Sequence, residues 1–394
     1  MDDLRFGLVG LGARSRIGRH AHNPGEGSAI VAVCDPSAVQ REQALERYPQ
    51  AAAYADHTEL LDQKLDGVFL TTPDDLHEGP AIDFLRAGVA VFVEKPLAIT
   101  TEGCDRVLQA AYDSGARLYV GHNMRHMPFV LAMRKLIQDG AIGDVKAIWC
   151  RHFVGHGGDF YFKDWHADRR RTTGLLLQKG AHDIDVMHWL AGGYTTRVNA
   201  MGALTLYGGI EDRLDRSGQR FAEFVSESNW PPLEQKGLAP VMDVEDLSMA
   251  NLQLDNGVFL TYEQCHYTPD YWRNYTVIGT HGRLENFGDT HGGVIKVWNS
   301  RRSGYRDDAD QVIEISGETD HHGGADPHLV AEFVRFVRDG GTTLTSPVAA
   351  RAAVAAGYAA TTSLRSNGMP VDIPPLAPEL VAYFDNGQVL PSPS

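Results

Sequence analysis

A glycine-rich segment near the start of the chain has the composition of a phosphate-binding turn. Gly10 and Gly12 stand where an apolar run ends and a helical pattern begins, in the sequence FGLVGLGARS of Phe6–Ser15. Gly10 permits a tight turn, and Gly12 lets backbone N–H groups at the start of a helix approach a pyrophosphate. The adjoining Ala13 and Arg14 are expected to contact the same ligand. This spacing predicts a dinucleotide site.

The residues around this turn also predict which dinucleotide would bind. Asp35 ends the second apolar run, 23 positions after Gly12, where a carboxylate hydrogen-bonds the adenosine ribose hydroxyls. The same carboxylate would repel a 2′-phosphate, and the nearest cation is Arg41, so NAD is favoured over NADP. The third glycine of the usual pattern is replaced by the small Ser15, and Gly18 follows one turn later.

Two polar segments follow later apolar runs and contain groups suited to ligand binding. Their candidate residues are Thr71, Thr72, Pro73, His77, Glu94 and Lys95. In a doubly wound sheet such segments lie at the carboxyl ends of strands, where ligands bind. Lys95 is followed by Pro96, which favours a sharp turn and allows a cis peptide bond. We therefore expect these residues to contact the dinucleotide, with Lys95 held in place by the end of its strand.

The elements that would position these residues form a βαβ pattern over residues 1–122. The apolar runs that predict strands are Arg5–Val9, Ile30–Cys34, Gly67–Thr71, Val89–Val93 and Arg117–Gly121. The amphipathic stretches that predict helices are Pro36–Tyr48, His77–Ala87 and Thr101–Asp113. Short apolar strands that alternate with helices indicate a buried parallel sheet. The predicted fold class is α/β, with an N-terminal Rossmann domain built on a doubly wound parallel sheet.

The remaining residues, 123–394, predict a C-terminal α+β domain with a large, mainly antiparallel sheet. Helical spacing appears at Phe129–Asp139, Gly180–Leu190, Asp326–Asp339 and Val348–Ser366. Strand-like runs are Val145–Val154, Thr195–Leu204, Leu247–Leu254, Gly257–Gln264, Asn274–Gly279 and Val294–Trp298. The polar segment Tyr207–Met242 predicts an insertion or lid loop, and the proline-rich end of the chain from Pro374 onward predicts a tail.

Composition and charge argue against several function classes. The formal net charge of −15 disfavours nucleic acid and anionic membrane surfaces as partners. No apolar run of about 18 residues or more appears, and the start of the chain lacks a signal-peptide pattern, so we expect a cytoplasmic protein. The four cysteines form no CxxC pair, and the histidine spacings fit no zinc motif. Neither a disulfide framework nor a metal site is expected.

Taken together, these motifs resemble the Gfo/Idh/MocA family of oxidoreductases, which includes glucose–fructose oxidoreductase and inositol dehydrogenase. The resemblance is carried by Gly10-x-Gly12, Thr72-Pro73-(x)3-His77 and Glu94-Lys95-Pro96-Leu97. It continues in the sequence GLLLQKGAHDID of Gly174–Asp185, and in Asp243-Val244-Glu245-Asp246 followed by an Asn256-Gly257 turn. The similarity extends over most of the chain.

The resemblance implies that a lysine, an aspartate and a histidine act together on the substrate, with the aspartate four residues before the histidine. Lys95 and His182 match this set, but Gln178 stands in place of the aspartate. A neutral amide cannot take a proton, although it can hydrogen-bond a substrate hydroxyl. We assign His182 as general base, Lys95 as the group that orients the hydroxyl, and Asp185 as the residue that orients His182. The alternative is that Lys95 itself is the base.

Further candidates lie outside these motifs. Asn123, Trp165 and Arg170 are expected to contact the cofactor, as positions in the family do. Arg125 and Tyr267 are expected to contact the substrate together with Lys95, Gln178 and His182. The arginine run that contains Arg170 would alternatively bind an anionic group of the substrate. The resemblance also implies a homodimer or homotetramer that assembles through the C-terminal sheet.

The expected activity is that of an NAD-dependent dehydrogenase that interconverts a secondary alcohol and a ketone on a sugar, sugar derivative or cyclitol. Two alternatives stay open. The first is an NAD-recycling glycoside hydrolase of the same family, which oxidises, eliminates, hydrates and reduces, and Gln178 keeps it open. The second is a non-catalytic NAD-bound sensor, against which the presence of Lys95 and His182 counts.

Overall fold

The computed structural model describes residues 2–216, 218–226, 229–317 and 323–389. Two β-sheets organise these residues, and helices cover both faces of the first sheet and one face of the second. The predicted fold class is confirmed: a parallel Rossmann sheet comes first, and a mostly antiparallel sheet follows.

The first sheet contains six parallel strands in the order β3-β2-β1-β4-β5-β6. The strands are β1 (Leu4–Val9), β2 (Ser28–Cys34), β3 (Ala52–Tyr54), β4 (Gly67–Leu70), β5 (Ala90–Glu94) and β6 (Leu118–Gly121). The helices between them are a 3-10 helix (Ala13–Ala21), α1 (Ala38–Arg47), α2 (Glu78–Arg86) and α3 (Thr101–Ser114), with two shorter 3-10 helices at His57–Leu60 and Asp74–Leu76. Because β4 and β5 are apolar on both faces, they are buried between helical layers.

The strand order decides where a ligand would bind. β1 pairs with β2 on one side and with β4 on the other, so the direction of winding changes between β1 and β4. A crevice forms at such a switch point, outside the carboxyl ends of the strands. The loops after β1, β4 and β5 therefore meet at one edge, and they contain Gly10, Thr71 and Lys95.

The second sheet contains nine strands in the order β14-β13-β12-β11-β7-β10-β9-β8-β15. The strands are β7 (Val145–Phe153), β8 (Thr195–Ala203), β9 (Leu247–Leu254), β10 (Phe259–Cys265), β11 (Trp272–Gly279), β12 (Gly282–Phe287), β13 (Val294–Trp298), β14 (Gln311–Glu314) and β15 (Val371–Asp372). All neighbouring pairs are antiparallel except β7 and β10, which are parallel.

Helices cover one face of this second sheet. The helices after residue 122 are α4 (Pro128–Gln138), α5 (Gly157–Tyr161), α6 (Arg169–Thr172), α7 (Leu175–Gln178), α8 (Gly180–Ala191), α9 (Phe221–Phe224), α10 (Ala325–Asp339), α11 (Pro347–Arg365) and α12 (Pro378–Asp385). α4, α8 and α11 bury the inner face in one hydrophobic core. The opposite face carries the exposed side chains of Trp149, Met201, Met249 and Phe259.

The late helices return to the first sheet. Phe333 of α10 packs against Phe6 and Phe69 of the Rossmann core. α12 buries Leu380, Tyr383 and Phe384 against the layer that contains α3, so the expectation of a tail from Pro374 is wrong for this segment. The proline content obscured apolar residues at helical spacing, while residues 390–394 lie outside the described part. The division of the chain at residues 122 and 123 stays a prediction.

The described residues of the segment Tyr207–Met242 form little regular structure, as those of an insertion would. Tyr207 and Leu238 are buried and belong to a small apolar cluster with Phe162. Gln235 is also buried, and its amide donates to the Asp159 carboxylate over 3.0 Å. These contacts fix parts of the segment to α5 and its surroundings, whereas its role as a lid stays a prediction.

Candidate active site

The glycine loop after β1 leaves room for a pyrophosphate. Gly10 has a φ of +85°, and a Cβ atom there would lie 2.7 Å from the backbone nitrogen of Thr72. Only glycine permits this close approach of two loops. A Cβ on Gly12 would meet no atom within 4 Å, so the space before the 3-10 helix is open. A Cβ on Gly18 would lie 3.1 Å from Leu8, which gives Gly18 the packing role of the missing third glycine. The loop fits a dinucleotide.

The carboxylate of Asp35 lies beside this loop. Its two oxygens accept hydrogen bonds from the backbone N–H groups of Leu11 and Ser37, each over 2.8 Å. The guanidinium of Arg41 donates to the backbone carbonyl of Asp35 over 2.7 Å. Asp35 therefore joins the ends of β1 and β2 as a ribose-binding carboxylate would, and a cation lies close to the same position.

Three predicted cofactor residues form one polar network. The Arg14 side chain donates to Glu94 over 2.5 Å and to Asp326 over 2.9 Å. The Asn123 amide donates to Asp326 over 3.3 Å. Asp326 is the hub of this network, and the sequence offered no signal for it because it lies in α10, more than 200 residues away from its partners in the chain.

The loops after β4 and β5 are tied together by His77. Its ring nitrogens lie 2.6 Å from the carbonyl oxygen of Pro96 and 2.9 Å from that of Thr72. The Thr71 hydroxyl donates to the carbonyl of Gly10 over 2.6 Å, and Pro73 precedes a short 3-10 helix. These contacts hold the loops together at the edge of the crevice. The ring of His77 and the hydroxyl of Thr71 are bonded to backbone carbonyls.

Lys95 lies at the junction of the two halves of the chain. The Lys95–Pro96 peptide bond is cis. The Nζ atom donates to the backbone carbonyl of Gln178 over 3.0 Å. Burial lowers the pKa of the Lys95 ammonium, and the carboxylates of Asp74 and Glu94 offset this only in part. Lys95 thus holds a fixed position opposite α7 and does not form an ion pair with a carboxylate within the described residues.

His182 lies on the first turn of α8 and is buried. Burial lowers the pKa of its imidazole well below the ordinary value, and the positive charges of Lys95 and Lys179 lower it further. The ring stands edge-on to His122, with 6.3 Å between the ring centres. Within the described residues, no side chain hydrogen-bonds the imidazole of His182. A neutral imidazole in this setting can accept a proton.

Asp185 does not orient His182, contrary to expectation. Its carboxylate accepts two hydrogen bonds from the guanidinium of Arg125, each over 2.8 Å. The same guanidinium donates to the carbonyl of Leu344 over 2.9 Å, and Arg125 is buried. Bidentate pairing satisfies both side chains, so Arg125 is held within the protein rather than presented to a substrate.

Gln178 has an unsatisfied side chain. Its Oε1 atom is buried and has no hydrogen-bond partner, and the same is true of Oδ2 of Asp74. Burial raises the pKa of the Asp74 carboxyl, although His77 and Lys95 act in the opposite direction. Buried polar atoms normally find partners. These two acceptors are therefore available for hydroxyl groups of a ligand.

The remaining predicted residues divide between the site and the surface. The Trp165 ring stacks on His166 at 3.7 Å, and Arg171 lies over it at 5.5 Å. Arg171 also approaches Asp75 at 3.2 Å, beside the loop after β4. Arg170, in contrast, pairs with Asp168 and is largely exposed. The sequence does not show which of the three consecutive arginines faces the loop after β4, and the prediction named Arg170.

Tyr267 lies near the insertion. Its hydroxyl is 3.0 Å from that of Thr205, and its ring is 6.3 Å from that of Tyr207. Two other tyrosines lie beside cations: Lys179 Nζ is 5.7 Å from the ring centre of Tyr161, and the Arg273 guanidinium is 5.7 Å from that of Tyr271. The sequence did not distinguish these tyrosines, since none belongs to a recognisable motif.

Asp183 anchors the helix that carries His182. Its carboxylate accepts hydrogen bonds from four buried side chains: Arg273 (2.7 Å), Tyr275 (2.5 Å), His152 (2.8 Å) and Tyr262 (3.0 Å). Burial alone would raise the pKa of the Asp183 carboxyl, but Arg273 and His152 hold it well below the ordinary value. Because the donors lie on β7, β10 and β11, this carboxylate fixes α8 to the second sheet.

The part of the chain that the structure describes contains neither a candidate metal site nor a candidate membrane-spanning helix. It contains no group of three or more His, Cys, Asp or Glu side chains placed to bind a metal ion. Nor do these residues form a helix with the length and apolar character needed to cross a membrane.

Comparison with known proteins finds two family models that match successive parts of the chain. The family model described as "Oxidoreductase family, NAD-binding Rossmann fold" matches residues 4–122, and the Gfo/Idh/MocA C-terminal domain matches residues 130–285. The protein YteT of Bacillus subtilis, named as an oxidoreductase, is 27% identical over 308 residues, which is 68% of this chain and 72% of YteT. Inositol 2-dehydrogenase of Salmonella typhimurium is 32% identical over 194 residues, 48% of this chain and 54% of the enzyme. This chain thus spans about half the length of that relative.

Solved structures share the fold at low sequence identity. The myo-inositol 2-dehydrogenase of Lactobacillus plantarum superposes with a TM-score of 0.70 at 20% identity, covering 94% of this chain and 100% of that chain. GenD2 from gentamicin A biosynthesis, solved in complex with NAD, gives a TM-score of 0.73 at 20% identity, covering 95% and 97%. With both domain models matched in order, the chain belongs to the Gfo/Idh/MocA family of oxidoreductases.

Proposed function

We propose that the chain is an NAD-dependent dehydrogenase that interconverts a secondary alcohol and a ketone on a sugar, sugar derivative or cyclitol. The observation that carries the proposal is the placement of Lys95 at the carboxyl edge of the Rossmann sheet, where its charge acts on the buried imidazole of His182. Lys95 is fixed by its bond to the Gln178 carbonyl. Burial lowers the pKa of the His182 imidazole, and the charges of Lys95 and Lys179 lower it further, which favours the neutral ring. The inositol 2-dehydrogenases among the relatives support this class of substrate.

The residues around the glycine loop would hold the cofactor. The backbone around Gly12 would contact the pyrophosphate, and Asp35 would contact the adenosine ribose. NAD is favoured over NADP because the Asp35 carboxylate would repel a 2′-phosphate, although Arg41 lies next to it. When bound, NAD supplies the group that accepts or returns a hydride.

The roles of the protein side chains follow from their charge. The neutral ring of His182 accepts the proton of the substrate hydroxyl during oxidation. The Lys95 ammonium donates a hydrogen bond to the same oxygen and stabilises the negative charge that develops on it. Gln178 and Asp74 offer unpaired acceptor oxygens to other hydroxyl groups of the substrate. In the reverse direction His182 returns the proton.

Assembly through the second sheet is a further part of the proposal. Four large apolar side chains, Trp149, Met201, Met249 and Phe259, are exposed on its outer face. Met201 and Met249 are paired across neighbouring strands, so the patch is continuous there. An apolar sheet face of this kind is suited to a homodimer or homotetramer.

The experiment incubates the protein with NAD and a panel of sugars, inositols and aryl glycosides, and follows NADH and aglycone together. Net NADH without cleavage supports the dehydrogenase. Aglycone release without net NADH supports the glycoside hydrolase and contradicts the proposal. Tight NAD binding with neither product supports a sensor and contradicts it as well.

A further inference from the structure

Lys179 is a cation of the site without an anionic partner. It lies between Gln178 and the start of α8, three residues before His182. Its Nζ atom stands 5.7 Å from the centre of the Tyr161 ring, and the side chain is half-buried. Within the described residues, Nζ forms neither a hydrogen bond nor an ion pair. A cation–π contact compensates only part of the cost of removing an ammonium from water.

Four other cations of the site and its surroundings are paired with carboxylates. The pairs are Arg273 with Asp183 and Asp289, Arg125 with Asp185, Lys163 with Asp159, and Arg14 with Glu94 and Asp326. Lys95 has only the Gln178 carbonyl. The site therefore contains two ammonium groups, those of Lys95 and Lys179, and neither is paired with a carboxylate.

The surroundings of Lys179 disfavour its charged form. Burial, together with the positive charges of Arg273 and Lys95, lowers the pKa of the Lys179 ammonium to about 7. The carboxylates of Asp183 and Asp289 raise the pKa of Lys179, but both form ion pairs with Arg273. An anion placed beside Lys179 would restore its charged form and form an ion pair in a partly desolvated place.

Two buried acceptor atoms, one of them on the neighbouring Gln178, indicate what else the ligand carries. Oε1 of Gln178 and Oδ2 of Asp74 are buried without partners. Neither can neutralise Lys179, because Gln178 is uncharged and burial favours the protonated form of Asp74. Both can accept hydrogen bonds from hydroxyl groups. The site thus combines two ammonium groups that lack a carboxylate partner with acceptors for hydroxyls.

We propose that the substrate is a polyhydroxylated carboxylate, such as a uronate or an aldonate, and that Lys179 binds its carboxylate while Lys95 faces the reacting hydroxyl. The inference rests on the proposed function. A single lysine suits the one charge of a carboxylate, whereas a phosphate monoester brings about −1.5 to −2 and is usually met by arginines. Arg169, Arg170 and Arg171, the neighbouring arginines, are each paired with an aspartate.

The test uses matched neutral and acidic compounds with the NAD-loaded protein. The pairs are galactose with galacturonate, glucose with glucuronate, and sorbitol with gluconate, and glucose 6-phosphate is added as a phosphate probe. We expect at least one acid to show kcat/KM about tenfold or more above its neutral partner, mainly through KM, since an ion pair acts on binding. Lys179→Met abolishes this preference and Lys179→Arg retains it. The exposed Lys146 provides the control, and Lys146→Met leaves the preference unchanged.

Thermal unfolding of the NAD-loaded protein separates this proposal from the proposed function. Stabilisation by an acid that is lost in Lys179→Met supports the carboxylate site even when no NADH forms, and in that case only the dehydrogenase proposal fails. NADH from neutral sugars, with no preference for acids and no effect of Lys179→Met on KM, overturns the carboxylate site alone. Stabilisation by glucose 6-phosphate and by none of the acids also overturns it, as does the absence of any stabilisation by the acids.

Discussion

The Nζ atom of Lys95 donates a hydrogen bond to the backbone carbonyl of Gln178 over 3.0 Å. This bond joins the end of β5 in the Rossmann sheet to α7 beside the second sheet. Because the acceptor belongs to the backbone, the side chain at position 178 can change without releasing the lysine. The replacement of a carboxylate by an amide at this position is therefore compatible with an intact Lys95.

Lys95→Met tests whether the ammonium acts in the chemical step. We expect kcat to fall about 10²–10³-fold, since loss of one donor to a developing oxyanion has this effect. NAD affinity should stay within about twofold, and it is measured by quenching of protein fluorescence. The exposed Lys135 gives a matched control, and Lys135→Met should behave as the wild type. A variant at position 95 with full kcat would contradict the assigned role.

The pH dependence of oxidation tests His182 as base. The base must be neutral, and burial with the charges of Lys95 and Lys179 places its pKa well below 6.5. The rate should therefore fall only as the pH drops well below 6.5, and remain level above it. Lys179→Met removes one of these charges, so the acid limb of kcat/KM should move to higher pH. An unchanged limb in this variant, with His182→Asn still active, would rule out this histidine.

Asp35→Asn tests the choice of cofactor. The amide keeps one acceptor for the glycine loop but removes the charge that repels a 2′-phosphate. We expect KM for NAD to rise about tenfold, consistent with loss of a charged hydrogen bond, and the ratio of NADP to NAD activity to rise. Asp62→Asn, an exposed change elsewhere in the same domain, serves as the control. A wild-type preference for NADP would reverse the proposal.

Variants of the Arg125–Asp185 pair test whether Asp185 stabilises the fold or orients His182. Removal of one partner from a buried ion pair costs about 3–5 kcal/mol, so Asp185→Asn should lower the free energy of unfolding substantially in urea. Arg125→Met should do the same, and the double variant should lose less than the sum of the two. If Asp185 instead orients His182, kcat would fall in Asp185→Asn while the unfolding free energy stays unchanged.

Charged substitutions on the exposed face of the second sheet test the proposed assembly. The double variant Met201→Lys/Met249→Lys places two charges on neighbouring strands of the apolar patch. We expect the molar mass from light scattering to fall to that of a monomer. Leu233→Lys, on the insertion, is equally exposed and should not change the mass. A wild-type protein that is monomeric at micromolar concentration would contradict this part of the proposal.

Much of the fold was predictable because the signals are local. Gly10 and the strand ends at Asp35 and Glu94 are recognisable from spacing, and the structure places them around one crevice. The helix α12 was missed because Pro374 and its neighbours resemble a tail, although Leu380, Tyr383 and Phe384 have helical spacing. The strands β3, β12, β14 and β15 were also missed. Three of them are too short to give a pattern, and β12 buries Asn286 as well as Leu284, so its inward face is not apolar in the sequence.

The side-chain partners were much less predictable. Asp185 lies one helical turn from His182 in the sequence, yet its carboxylate binds Arg125, 60 residues away. Arg14 belongs to the glycine loop but pairs with Asp326 of α10. Such choices depend on which helices pack together, and spacing along the chain contains no information about that packing.

The most direct measurement is the rate of NADH formation by His182→Asn and by the wild type with the same substrate and saturating NAD. We expect the wild type to oxidise at least one sugar, sugar acid or cyclitol. We also expect His182→Asn to lose about 10²–10⁴-fold in kcat, as follows from loss of a general base, while it binds NAD normally. Turnover by His182→Asn at the wild-type rate would contradict the assignment of His182 as the base.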